Sequence, residues 1–207
     1  VIGSGGGLDI PQALPSRSKD VTGVEINPII ANTVMRRRFP DLSRRLYFRP
    51  DVHIVVEDGR SFVRQTGQKY QILQATLVDT WAATAAGAFA LSENNLYTTE
   101  AFRDYLERLT SDGLLTFTRW GFDPPRESLR LVTLARKALS GLGETEAWRH
   151  IVVLRDDAAE ASGWGAQDTV LVFRNPVSNH DLTSIRTALG QRPGLQALYT
   201  PGDAASN

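Results

Sequence analysis

The sequence predicts an α/β fold: a mostly parallel β-sheet with helices on both faces and an antiparallel strand at its end. Short apolar runs alternate with helical patterns along the chain, as they do when helices connect parallel strands. The chain opens with an apolar pair that runs directly into a glycine-rich turn, the usual passage from a first strand to a first helix. Only Arg155–Asp168 separates the last two apolar runs, which is short for a crossover helix and favours a hairpin-like return.

The apolar runs define the predicted strands, of which the first is a shortened stump. They are Val1–Gly3, Val21–Glu25, His53–Val56, Tyr70–Val78, Leu114–Thr118, His150–Leu154 and Thr169–Phe173.

Helical patterns fill the intervals between these runs. Asn27 and Pro28 form a start signal, because Asn caps a helix and Pro lacks the N–H group that has no partner in the first turn. The segment Thr98–Leu109 is amphipathic, with Phe102 and Tyr105 among the apolar residues of one face. The predicted helices are Leu8–Ser16, Asn27 to the residue before Pro40, Ser61–Gln65, Thr98–Leu109, Asp123 to about Leu142, and a last helix capped by Ser178.

Length and composition limit the functions open to the chain. Its 207 residues suit one domain, predicted at residues 1–199 and followed by a frayed tail at 200–207. The formal net charge is zero, so no nucleic-acid partner is expected. There is no cysteine, no metal-ligand spacing of the histidines, and no apolar run long enough to span a membrane. Because the sequence starts without Met and within a strand, we interpret it as a fragment of a longer protein.

The ends of the first three predicted strands carry two motifs, of which the first combines a glycine loop with an acidic residue. The glycine loop Gly3–Gly7 comes after the first strand, and Glu25 ends the second. Glycines allow the backbone to approach a ligand closely, and a carboxylate in this place accepts hydrogen bonds from ribose hydroxyls. The third strand ends in Glu57–Gly59, which is either a common Asp-Gly turn or, with the other motif, part of a nucleotide site.

These motifs carry a resemblance to a known family. The matching segments are Val1–Asp9, Gly23–Pro28, Glu57–Phe62, Leu96–Phe102 and Asp112–Leu115. Through them, about residues 1–120 resemble the spermidine synthase-like (aminopropyltransferase-like) branch of the Rossmann-like class I S-adenosylmethionine-dependent methyltransferase fold. The stretch Leu77–Leu91 resembles a subgroup found in large bacterial membrane proteins.

The resemblance implies a ligand, a reaction class and a location. The ligand is S-adenosylmethionine or decarboxylated S-adenosylmethionine, and the reaction is transfer of a methyl or aminopropyl group to a small-molecule acceptor. A cytoplasmic location follows, either free or as the cytoplasmic domain of a membrane-embedded parent, and a homodimer is compatible with it. The implied nucleotide-binding residues are Gly3, Ser4, Gly5, Gly6, Gly7, Glu25, Ile26, Asp58 and Gly59, with Asp58 at the adenine amino group and a backbone N–H near it at a ring nitrogen.

The sequence departs from the family where an amine would bind. Gly6 and Thr76 stand where aminopropyltransferases carry carboxylates, so little or no spermidine synthesis is expected. Asp79 remains, and it is interpreted either as the residue that orients or deprotonates the acceptor or as a helix or turn cap. Trp81 and Tyr97 are candidate substrate contacts, with a core position as the alternative for Trp81.

Two other classes of function stay open. A non-catalytic S-adenosyl-binding sensor or interaction domain fits the missing carboxylates. An NAD-dependent oxidoreductase also uses a glycine loop and an acidic residue, but the antiparallel end and the Glu57–Gly59 motif disfavour it. The basic cluster Arg36–Arg38 with Arg44 and Arg45 is either a solvated surface or a contact for phosphate or lipid headgroups.

Overall fold

A computed structural model describes residues 1–14, 18–78, 95–158 and 165–202 of the chain. The chain divides into two compact units. The first consists of Val1–Gly67 with Gln74–Val78, and the second of Gln68–Leu73 with Asp79–Asn207. The third strand, β3 (Tyr70–Thr76), therefore contributes its first half to the second unit and its last half to the first.

The first unit is built on parallel strands. Its elements are α1 (Ile10–Ala13), β1 (Val21–Glu25), a π-helix (Ile29–Arg38), a 3₁₀ turn (Leu46–Phe48), β2 (Val52–Val56) and α2 (Gly59–Gln65). Strands β1 and β2 pair in parallel, and Ile2 bridges in parallel to both Val24 and Ala75. The carboxyl ends of these parallel stretches consequently meet at one edge of the unit.

The helix after Asn27 has the predicted start and end but a wider turn. The Asn27 side chain accepts from the Ile29 N–H at 2.9 Å, as expected of a residue that caps a helix. The Phe39 N–H donates to the Val34 carbonyl, five residues back, at 2.9 Å. This i→i+5 bond is the π-type pattern, and the helix ends before Pro40 as predicted.

The second unit contains a five-stranded arrangement in the order β3-β4-β6-β5-β7. Its remaining elements are α3 (Thr99–Glu107), β4 (Leu109–Trp120), α4 (Glu127–Gly141), a 3₁₀ turn (Ala147–His150), β5 (Ile151–Asp156), β6 (Gln167–Phe173), α5 (Asn179–Gln191) and β7 (Leu195–Tyr199). Strand β6 lies antiparallel between β4 and β5. The hairpin-like return and the α/β fold class with an antiparallel end are therefore confirmed.

Helix α3 packs the apolar face that its sequence predicts. Phe102, Tyr105 and Leu106 are fully buried, and the Phe102 ring stacks on that of Phe117 in β4 with centroids 5.1 Å apart. Thr98 caps the helix by accepting from the Ala101 N–H at 3.1 Å. Helix α5 has the predicted Ser178 cap, extended by Asp181 into a capping box.

Several elements differ from their predictions: β4 begins at Leu109, the residue predicted to end the preceding helix, and the clearest other cases are α4 and β7. Helix α4 begins at Glu127 rather than at Asp123, because Pro124 and Pro125 each disfavour the helical conformation of the residue before them. Strand β7 was not predicted, because it is a short edge strand whose side chains are mostly exposed and show no buried apolar run. Within the described ranges, no helix combines the length and apolar character needed to cross a bilayer.

Candidate functional site

The glycine loop of the first unit owes its shape to its own packing. Gly3, Gly5 and Gly7 have positive φ angles of 70°, 47° and 84°, which L side chains rarely adopt. A Cβ atom would lie 2.8 Å from Val78 at the first of them and 2.4 Å from the Leu46 side chain at the last. The backbone conformation and packing of the loop therefore require these glycines, whether or not a ligand binds there.

Gly6 differs from its neighbours in the loop. It has no positive φ angle, it is exposed, and a Cβ atom there would meet nothing within 4 Å. The space in front of Gly6 is therefore where a ligand can approach the backbone most closely. The predicted role of the loop is sterically feasible at this point.

Glu25 holds the glycine loop to the end of β1. Its carboxylate is buried, with 5% exposure for the residue, and it accepts from the Gly5 N–H at 2.7 Å and the Asn27 N–H at 2.8 Å. Such charge-assisted hydrogen bonds are stronger than neutral ones. Each carboxylate oxygen accepts more than one hydrogen bond, so the predicted contact with ribose hydroxyls is compatible with this arrangement.

Tyr47 holds the same loop from the other side and carries no sequence signal for this role. Its buried hydroxyl donates to the Gly5 carbonyl at 2.7 Å and lies 3.0 Å from the Ser4 hydroxyl. Burial raises the pKa of Tyr47, which keeps the hydroxyl protonated as a donor. The two peptide groups that flank the Gly5 Cα are thus held, one at its N–H by Glu25 and the next at its carbonyl by Tyr47.

Asp9 is the second site feature that sequence reasoning missed. It occupies the position before α1, but its side chain makes no capping bond. The carboxyl group is instead buried, at 7% exposure for the residue, and hydrogen-bonds with the Thr76 side chain at the end of β3. Desolvation raises the pKa of Asp9 more than the Thr76 bond lowers it. In the sequence, an Asp two residues after a glycine loop and directly before a helix indicates an ordinary helix cap, so this role could not be recognised there.

Asp58 and Gly59 have structural roles at the end of β2. The Asp58 side chain caps α2 by accepting from the Ser61 N–H at 2.8 Å. A Cβ atom at Gly59 would lie 2.5 Å from the Ile2 side chain, so only Gly fits there. One carboxylate oxygen of Asp58 accepts the capping hydrogen bond, and the other can still accept one from a ligand. The predicted contact of Asp58 with the adenine amino group therefore stays a prediction.

Exposed apolar side chains accompany these polar groups. Ile26 directly follows Glu25, Leu8 follows the glycine loop and Val56 ends β2, and all three are exposed. Because they follow parallel stretches, they lie toward the same edge as the loop. Apolar surface beside convergent polar groups is typical of a site for a flat heterocycle.

The proposed catalytic residue Asp79 and the substrate candidate Trp81 lie outside the described residues. Tyr97 is described and lies in the second unit, where it is buried against Phe117 with ring centroids 5.6 Å apart. Its hydroxyl accepts from Arg119 at 3.2 Å, and the same guanidinium lies 4.9 Å from the ring centroid. Its ring and its hydroxyl both have protein partners, and a substrate contact stays a prediction.

No protein-family model matches the chain, and no curated protein matches it by sequence. Solved structures match by fold. A spermidine synthase in complex with the transition-state analogue AdoDATO aligns with a TM-score of 0.60 and 15% identity over 93% of this chain and 58% of that one. The spermidine synthase from Thermotoga maritima aligns with a TM-score of 0.59 and 16% identity over 87% of this chain and 54% of that one.

These likenesses show that the chain has a spermidine synthase-like fold. The predicted fold is confirmed. The chain spans less than two thirds of the length of either of these proteins.

Proposed function

We propose that the first unit binds an S-adenosyl compound and that the chain belongs to a transferase acting on a small-molecule acceptor. The observation that carries this proposal is the bond between Glu25 and the Gly5 N–H. It fixes an acidic residue against a glycine loop at the carboxyl edge of parallel strands, where open α/β folds bind nucleotides. A cytoplasmic location, in a protein free or attached to a membrane, belongs to the same proposal.

The residues present suit the proposed ligand. Gly6 leaves room for a close approach, Glu25 has acceptor capacity for ribose hydroxyls, and Asp58 has it for the adenine amino group. Ile26 offers an exposed apolar face for the adenine ring. When bound, S-adenosylmethionine or its decarboxylated form supplies a carbon activated by the sulfonium group. The chain's own task is then to position this carbon and to handle the acceptor's proton.

Two carboxylates are candidates for the group that accepts this proton. Asp79, which follows β3, is proposed to orient or deprotonate an amine or hydroxyl acceptor. Asp9 is the alternative, because its carboxyl is buried beside Thr76 and this burial raises its pKa above the ordinary value. Gly6 and Thr76 supply no negative charge, so we propose an acceptor other than a polyamine, which needs several carboxylates to replace its hydration.

Calorimetric titration of the folded protein tests the proposal. We expect saturable binding of S-adenosylmethionine, its decarboxylated form or methylthioadenosine, and none of NADH. A folded sample that binds none of the three compounds, or binds NADH alone, overturns it. Asp79→Asn and Asp9→Asn then identify the proton acceptor, since loss of a positioned group lowers turnover by about 10²–10⁴-fold and spares nucleotide affinity.

A non-catalytic sensor is the second candidate. Thr76 favours this candidate. Its hydroxyl lies at the end of β3 and hydrogen-bonds with Asp9, and a threonine hydroxyl cannot itself act as the base that deprotonates an acceptor. Transfer of a radiolabelled methyl group to a panel of amine, hydroxyl and thiol acceptors separates the two functions. Binding without transfer to any acceptor supports the sensor.

A further inference from the structure

The second unit contains a cavity of about 430 Å³ between α4, β5, β7 and the turn that precedes β5. Small-molecule sites typically have volumes of about 300–1,000 Å³, so this one holds a ligand of modest size. All of its lining residues belong to the second unit. An inference from it is therefore independent of the function proposed for the first unit.

The rim of the cavity is apolar and open to solvent. Large side chains on three different elements line it while remaining well exposed: Leu129 at 58%, Trp148 at 44%, Leu198 at 42% and Tyr199 at 38%. Buried Ile151 and Val153 of β5 complete the lining. Exposed apolar side chains are ordinary when scattered, but their convergence on one concavity marks a binding site.

The walls of the cavity are held in place by the protein itself. The Tyr199 hydroxyl donates to the Trp148 carbonyl at 3.1 Å, which joins the last strand to the turn before β5. Strand β7 also pairs with β5, where Val153 lies opposite Tyr199. A cavity whose walls are fixed in advance loses little conformational entropy when a ligand enters.

One charge faces this apolar lining. Arg136 of α4 lines the cavity, and no hydrogen bond or ion pair to a carboxylate engages it in the parts of the chain that the structure describes. Within those parts, no acidic side chain lines the cavity. Ser128 is turned away, because its hydroxyl donates to the Asp168 carboxylate at 2.7 Å. Among the lining residues, Arg136 is therefore the charged one that can pair with an anionic group of a ligand.

We propose that this cavity binds a small hydrophobic anion. Its apolar body packs against Trp148, Leu129 and Leu198, and its carboxylate, sulfonate or phosphate group pairs with Arg136. A guanidinium presents several N–H donors in a planar fork that matches such oxyanions. A neutral molecule of the same shape leaves that fork without a partner inside the complex and binds more weakly.

Titration of the protein with the fluorescent probe 8-anilinonaphthalene-1-sulfonate tests the site. We expect saturable binding that dodecanoate displaces and that dodecanol, of the same chain length, displaces poorly. Arg136→Gln should weaken binding of the probe by about tenfold or more, as expected for loss of a charge-assisted hydrogen bond. Lys137→Gln, at an exposed neighbour that does not line the cavity, should leave it unchanged.

Other results contradict the proposal. Equal affinities of the wild type and Arg136→Gln, or equal displacement by acid and alcohol, show that no anion is recognised. Both substituted residues are exposed, so circular dichroism is expected to show intact folding in each variant. Sedimentation equilibrium of the wild type and of Leu129→Ser tests whether the cavity is instead covered by a second copy of the protein. If the protein dimerises and the variant is monomeric, the cavity is an interface between two copies and the small-ligand proposal is wrong.

Discussion

The carboxylate of Glu25 accepts a hydrogen bond of 2.7 Å from the backbone N–H of Gly5. Because Tyr47 donates to the carbonyl of the same glycine at 2.7 Å, both peptide groups that flank the Gly5 Cα are held by side chains. The conformation of the glycine loop therefore depends on two side chains that are far from it in sequence. This relationship allows ligand contact and loop positioning to be separated by mutation.

Glu25→Ala is expected to weaken binding of S-adenosylmethionine by about 1–3 kcal/mol, because it removes charge-assisted hydrogen bonds to the ligand and to the loop. Tyr47→Phe removes the hydroxyl contacts with Gly5 and Ser4 of the loop but none with the ligand, so its effect should be smaller, about 0.5–1.5 kcal/mol. Calorimetry measures both, with Glu146→Ala at an exposed carboxylate as the control. Wild-type affinity in Glu25→Ala contradicts the proposed site.

Gly7→Ala and Gly6→Ala form a matched pair. The first places a Cβ atom 2.4 Å from Leu46 at a φ of +84° and should lower the free energy of unfolding by about 2–4 kcal/mol. The second meets no atom within 4 Å and should change stability by less than about 1 kcal/mol. It should nevertheless weaken nucleotide binding, since its Cβ occupies the approach to the loop. Urea unfolding and calorimetry check the pair, and the reverse order of stabilities refutes this account of the loop.

The fold could be predicted to the extent that it depends on local patterns. The alternation of strands with helices, the short connection Arg155–Asp168 between antiparallel strands and the Ser178 helix cap can each be recognised within short stretches of sequence. The start of α4 is set by two consecutive prolines that precede it, and β7 buries too few side chains to show an apolar pattern in the sequence.

Only part of the candidate site could be predicted, because only some of its contacts follow from local sequence spacing. The glycine loop and Glu25 follow a known spacing, so their proximity could be predicted. The contacts of Tyr47 with Gly5 and of Asp9 with Thr76 join residues more than forty positions apart. Such pairings depend on tertiary packing, and no local spacing encodes them.

Asp9→Asn should stabilise the protein at neutral pH. Burial raises the pKa of Asp9 above its ordinary value of 3.8, so the folded state binds this proton more tightly than the unfolded chain does. The group therefore contributes stability below the unfolded-state pKa, and that contribution is lost as the pH rises through the folded-state pKa. The variant avoids this loss, so its advantage should be present near pH 7 and should shrink as the pH falls toward 3.8.

Urea unfolding between those two pH values measures the difference. Asp112→Asn, at an exposed carboxylate, controls for the general effect of removing a negative charge. An advantage of Asp9→Asn that grows on acidification shows that the carboxylate is stabilised by its surroundings. Lower turnover together with higher stability would identify Asp9 as a functional carboxylate.

Asp168→Asn is expected to destabilise the second unit by about 2–4 kcal/mol. Asp168 is fully buried and accepts from Ser128 at 2.7 Å and from Arg155 at 2.7 Å, so its neutralisation leaves a guanidinium poorly paired. The exposed pair of Arg149 and Glu146 is the contrast, and Glu146→Gln should cost less than about 1 kcal/mol. Chemical denaturation of both variants compares them, and equal losses count against a structural role for the buried pair.

Strand β6 lies between β4 and β5, although it follows both of them in the chain. As the polypeptide leaves the ribosome, β4 can pair with β3 on one side, but the edges of β4 and β5 that face β6 have no partner until residues up to Phe173 have been made. The pairing of β4 with β6 must therefore form late and over a long sequence separation, which slows folding. Until then two strands expose unpaired edges, and this interval is when the nascent chain is most exposed to aggregation and most dependent on chaperones.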